Sequence, residues 1–214
     1  MYNHNMKNIL ILGGTGKLGK ILIAYLLEKN LKVITLIRNP DKLNISNKNL
    51  IIIKGDVTNK NDLERALKNV DIVISVLGHG FRTKYPIQEK TLINLIPLME
   101  KLKIRRFITV TGAALKTKND SNSLTLIFTE KLFGLIDPYR ISDARAQQRL
   151  LEKSDLDWTV VRTPVHKDGK SEKLNNIGYR QPLPWSKLSR IAVAEFIINC
   201  INENKWVKES PIIY

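Results

Sequence analysis

The chain has 214 residues, 43% of them hydrophobic, enough for one well-buried core and short for two domains of ordinary size. Its 35 Lys and Arg against 20 Asp and Glu leave a formal charge of +15, which suits anionic ligands but selects none of them. The basic residues are scattered, with a short cluster at Lys101, Lys103, Arg105 and Arg106, and no finger, helix-turn-helix or aromatic-basic signature accompanies them, so a solvated basic surface without a specific nucleic-acid partner is expected.

The first segment, MYNHNMKN, has no long apolar run, and no later stretch reaches membrane-spanning length without charge, so a soluble, cytoplasmic protein is expected. Residues 9–12 form an unbroken apolar run of the kind a strand buried on both faces uses. Gly13, Gly16 and Gly19 follow at a spacing of three, and a helical apolar pattern then continues to Asn30. Gly13 permits a sharp turn, Gly16 lets backbone approach a pyrophosphate, and Gly19 lets a helix pack closely on the sheet. The helix start presents N–H groups to an anion, so a dinucleotide is the expected ligand.

Lys32–Ile37 reads as a second strand with Arg38 at its end. An acidic residue there would suit the ribose 2′-hydroxyl of NAD, whereas Arg38, with Asn39 and Lys42 nearby, suits the 2′-phosphate of NADP. Residues 50–53 read as a third buried strand, followed by Asp56 and by Thr58 as the cap of a short helix. Residues 72–77 are a fourth strand, leading into the turn Gly78-His79-Gly80 beside the expected crevice. A helix from Pro86 towards Lys101 has Pro97 at an irregular position, and residues 106–110 form a fifth strand running into Thr111-Gly112.

Residues 124–136 are strongly apolar and are candidates for a cover or a dimer contact. An amphipathic helix follows Asp137-Pro138, with Ala144, Ala146, Leu150 and Leu151 inward. Residues 158–161 are a sixth strand, 162–166 a turn, 167–187 an irregular substrate-side lobe, 191–201 the last helix and 211–214 a final strand. Cys200, the only cysteine, falls in the apolar run of that helix and reads as core, which leaves no intrachain disulfide; three scattered histidines lack metal-ligand spacing. The alternation of strands and helices predicts one α/β domain, 1–214, built on a doubly wound parallel sheet with a small C-terminal lobe.

The stretches ILGGTGKLG, LIRNPDKL, IKGDVTN, VISVLG, RFITVTGAA, SDLDWTVVRTP and LSRIAVAEFI occur in this order over nearly the whole chain. Together they resemble the atypical short-chain dehydrogenase/reductase family, in its NAD(P)H-binding branch related to biliverdin reductase B (flavin reductase) and to NmrA-like regulators. The resemblance implies that Gly13, Thr15, Gly16, Lys17, Leu18 and Gly19 hold the phosphates and Arg38 the 2′-phosphate of NADP(H). It places Asp56 and Val57 beside adenine, Leu77 and Gly78 beside the nicotinamide ribose, Thr111 and Gly112 at the catalytic edge, and Pro164 and Val165 in the nicotinamide pocket.

Where many short-chain dehydrogenases carry a serine and a Tyr-x-x-x-Lys pair, this chain has Gly112 after Thr111, and Tyr139 is followed four residues on by Asp143. Its one Tyr-x-x-x-Lys, Tyr25 to Lys29, lies inside the first helix and is a decoy. Thr111, His79 and His166 remain as candidate catalytic groups, the histidines because imidazole titrates near neutrality. The leading function is an NADPH-dependent oxidoreductase that passes hydride to a flat, aromatic or anionic acceptor such as a flavin or quinone, working as a monomer or homodimer. The alternatives are an NADP(H)-binding sensor without turnover and a sugar-nucleotide epimerase or dehydratase.

Overall fold

The structure is a computed structural model and describes residues 7–78, 84–120, 131, 134–202 and 205–214. His79 and all but four residues of the apolar stretch 124–136 lie outside the described residues.

Strand β1 (Asn8–Leu12) is central. Ile9 and Ile11 enter the core on one face of the sheet and Leu10 and Leu12 the core on the other, all four without exposure, which is why the run is unbroken. Beside it lie β2 (Lys32–Ile37) and β3 (Leu50–Lys54) in one direction, and β4 (Ile72–Ser75), β5 (Arg106–Gly112) and β6 (Asp157–Thr163) in the other. All of these pairs are parallel and give the order β3-β2-β1-β4-β5-β6. The short strands β7 (Val165–Lys167) and β9 (Lys187–Ser189) form a separate parallel pair in the C-terminal lobe. The main sheet is extended by β10 (Ile212–Ile213) and, antiparallel to it, β8 (Ile177–Gly178).

The helices are α1 (Lys17–Glu28), α2 (Lys60–Ala66), α3 (Ile87–Lys101), α4 (Pro138–Glu152) and α5 (Arg190–Asn202). The first and last pack together on one face, and α2, α3 and α4 cover the other. The chain leaves β1 for β2 on one side and returns to β4 on the other. A crevice therefore opens at the carboxyl ends of β1 and β4, where ligands of such sheets bind.

Several expectations are corrected. Residues 50–53 do form a strand, but on the sheet edge: Ile51 is 53% exposed. The cap of α2 is Asn59, whose side chain accepts from the N–H groups of Asn61 and Asp62, while Thr58 donates to Asp56. Arg162 and Thr163 belong to β6, and the residues after Pro164 form β7, so 162–166 is not a turn. Arg106 is not part of a solvated cluster. It is buried, and its guanidinium donates to the carbonyls of Asp157, Cys200 and Lys205 and to Oγ1 of Thr159. Pro97 lies inside α3, on its exposed side.

Candidate functional site

The chain turns off β1 at Gly13, whose φ of +91° is one that side chains avoid, and whose added Cβ would lie 2.8 Å from the Val76 carbonyl oxygen. The helix behind the turn can come this close only because Gly19 lacks a side chain: a Cβ there would overlap the Gly13 carbonyl. A Cβ on Gly14, which the glycine spacing does not single out, would overlap Oγ1 of Thr35, a buried hydroxyl that donates to the Ile11 carbonyl. Gly16 is the N-cap of α1. It provides no side-chain hydrogen bond, and no acidic residue stands in the first turn, so these N–H groups are left for an anion.

Two clefts meet over the crevice. The first, about 230 Å³, is lined by Gly13, Thr15, Gly16, Arg38, Asp56 and Val57, together with Leu77 and Gly78. The second, about 370 Å³, shares Val76, Leu77 and Gly78 with the first and continues along Leu18, Thr111, Gly112, Pro164, Val165 and His166. The two clefts adjoin along those three residues, with the exposed Arg38 lining one and Thr111 the other, an arrangement that suits a dinucleotide in a sheet of this topology. Lys17 and Gly19 line neither cleft: Lys17 reaches Asp168 at 3.1 Å, and Gly19 is a packing residue. Asp56 faces the first cleft, but its Oδ1 accepts from both the N–H and the hydroxyl of Thr58 at 2.8 Å.

The second cleft has walls that sequence reasoning missed. Gln88 from α3, Arg140 and Ala144 from α4 and Arg190 from α5 all line it. Gln88 is held twice, its backbone N–H on Asp143 at 3.0 Å and its Nε2 on the Leu77 carbonyl at 3.2 Å. Asp143 also accepts from Glu89 N–H at 2.8 Å, so the carboxylate four residues after Tyr139 caps the start of α3. Tyr139 lines neither cleft; it is 40% exposed with its ring near Lys84. Tyr25 packs half-buried against the core, and desolvation, with Glu195 and Glu28 nearby, raises its hydroxyl pKa.

His166 stands on β7 with Nε2 2.7 Å from Oγ1 of Thr163. Burial, reinforced by the positive charge of Arg190, pushes its pKa down to about 4, so the imidazole is neutral at pH 7 and does not titrate near neutrality. Among the described residues no group of His, Cys, Asp and Glu could hold a metal ion.

A third cavity, about 140 Å³, opens off the Thr111 end of the second cleft. It shares Gly112, Arg140, Thr163, Pro164 and Val165 with the second cleft and is otherwise walled mainly by apolar residues, Ala113, Ala114, Ile141 and Pro182 to Pro184 among them.

A family model described as NAD(P)H-binding matches residues 13–204. A protein of Arabidopsis thaliana described as probable pinoresinol-lariciresinol reductase 3 is 31% identical over 127 residues, which cover 58% of this chain and 40% of that protein; this chain spans less than half of that relative's length. A short-chain dehydrogenase/reductase of Veillonella parvula, solved in complex with NADP, superposes with a TM-score of 0.75 at 19% identity, covering 97% of this chain and 94% of that one. The structure described as ChuY, an anaerobillin reductase from Escherichia coli O157:H7, gives a TM-score of 0.77 at 18% identity, covering 97% and 96%. Both structural matches show the same fold. Among the described residues no helix is long and apolar enough to cross a membrane.

Proposed function

The chain belongs to the NAD(P)H-binding family, and we propose that within it this protein is an NADPH-dependent reductase that passes hydride directly to a flat acceptor such as a flavin or quinone. The observation that carries this reading is the apolar cavity that adjoins the nicotinamide end of the cleft through Gly112, Thr163, Pro164 and Val165. A planar, largely apolar molecule seated there would lie against the nicotinamide pocket. The reductases among the relatives and structural neighbours support the same class of reaction.

In this reading the start of α1 holds the pyrophosphate, Arg38 forks onto the 2′-phosphate, and Thr111 orients the acceptor through its hydroxyl. The nicotinamide, when bound, supplies the hydride. The described side chains around the cleft include no strong proton donor: His166 is neutral, Tyr139 lies outside, and a threonine hydroxyl orients an oxygen better than it protonates one. A flavin or quinone suits such a site, because after accepting hydride it takes its proton from water. Steady-state NADPH oxidation with a panel of quinones and flavins tests the proposal. Turnover with at least one of them is expected; tight NADPH binding without turnover on any would favour the sensor.

A further inference from the structure

Three charged side chains, of which Arg190 lines the nicotinamide-side cleft, form one ionic chain. Asp168, just after β7, accepts from Nζ of Lys17 at 3.1 Å through one oxygen and from Nη1 of Arg190 at 2.6 Å through the other. Lys17 is the first residue of α1 and Arg190 the first of α5, so a single carboxylate spans the starts of two neighbouring helices.

Two features mark this place as made for an anion. The first turn of α1 has neither a capping side chain nor an acidic residue, whereas the start of α5 has Oγ of Ser189, which accepts from Ala192 N–H at 3.1 Å. Arg190 also lines the cleft with its side chain 18% exposed, while Asp168 is 71% exposed and its carboxylate pairs with the two cations. The two cations hold the Asp168 carboxyl below the usual range, so it is an anion at neutral pH.

We infer that Lys17 and Arg190 form a two-cation seat for the cofactor's pyrophosphate, and that Asp168 is a built-in anion that fills this seat until the cofactor displaces it. The inference rests on the dinucleotide-binding reading above and assigns Arg190 to phosphate binding. Pyrophosphate arriving at the start of α1 meets a carboxylate on the same cations. Like charges repel there, and exposed ion pairs are weak and screened, so the carboxylate yields. Lys17 and Arg190 keep an anionic partner in both states, and what Asp168 sets is cofactor affinity.

The test is calorimetric titration of NADPH into the whole protein at low ionic strength. Asp168→Asn keeps the shape and removes the charge; it is expected to tighten NADPH by about three- to tenfold, the scale of one or two exposed ion pairs, with the gain shrinking in salt. Adding Arg190→Gln to that variant should return affinity to the wild-type value or below it. Adenosine 2′-monophosphate, which lacks the pyrophosphate, should bind wild type and Asp168→Asn equally. Unchanged NADPH affinity in Asp168→Asn overturns the inference, and weaker binding does so too by making Asp168 a clamp over bound cofactor. If wild type binds adenosine 2′-monophosphate but not NADPH, or neither, the dinucleotide reading itself fails and the inference with it.

Discussion

Nη1 and Nη2 of Arg162 donate to different oxygens of Asp120, at 2.6 and 2.7 Å, and both side chains are sealed from water. The same guanidinium donates to the carbonyls of Ser210 and Leu115, so this one pair ties β6 to the C-terminal segment and to the loop that leaves Thr111 and Gly112. Asp120 also accepts from the N–H and hydroxyl of Thr117. Removing one member strands a buried charge. Asp120→Ala should therefore cost about 3–5 kcal/mol of stability, read as a lower urea midpoint. A loss under about 1 kcal/mol would mean that water reaches the pair.

Arg38 is exposed at the edge of the first cleft, beside Gly16 and Asp56. If it binds the 2′-phosphate, Arg38→Ala should weaken NADPH by about 1.5–3 kcal/mol, the worth of a charge-assisted hydrogen bond, and leave NADH nearly unchanged. Equal losses for both, measured by calorimetry, would remove Arg38 from cofactor discrimination.

If hydride passes directly to a flat acceptor, Thr111 need only orient it. Thr111→Val should lower kcat about tenfold, as expected for one lost hydrogen bond of about 1.4 kcal/mol. Tyr139→Phe should change almost nothing, because Tyr139 lies outside both clefts. A loss of roughly a hundredfold in Tyr139→Phe would instead give that hydroxyl the role of general acid.

His166 has a folded-state pKa of about 4 against an ordinary 6.5. Between these values the unfolded chain binds a proton that the folded chain does not, so stability rises with pH across the window and falls as pH drops from 6.5 towards 4. The full difference corresponds to roughly 3 kcal/mol. Urea unfolding of wild type and His166→Gln at pH 7 and pH 4 should show a smaller decline in the variant. Parallel declines would show that protonation of His166 does not oppose folding.

The order of strands and helices was legible in the sequence because it depends on local patterns. The unbroken run at residues 9–12 signals burial on both faces, and the glycine spacing after it signals the turn into α1. The residues carried over from the motifs line the two clefts in large part, since strand ends in this topology converge on one crevice. The edge exposure of Ile51 was not legible, because an apolar strand reads alike at the centre and at the edge of a sheet. Tertiary structure alone decided the burial of Arg106 and Arg162, the low pKa of His166, and the arrival of Gln88, Arg140 and Arg190 at the cleft beside Thr111. Each of these depends on partners brought from elsewhere in the chain: Asp120 lies 42 residues from Arg162, and Lys17 lies 151 residues from Asp168. A charged side chain carries the same local signal whether it ends in water or beside a distant partner; desolvation and pairing separate the two outcomes, and both arise only when the chain closes on itself.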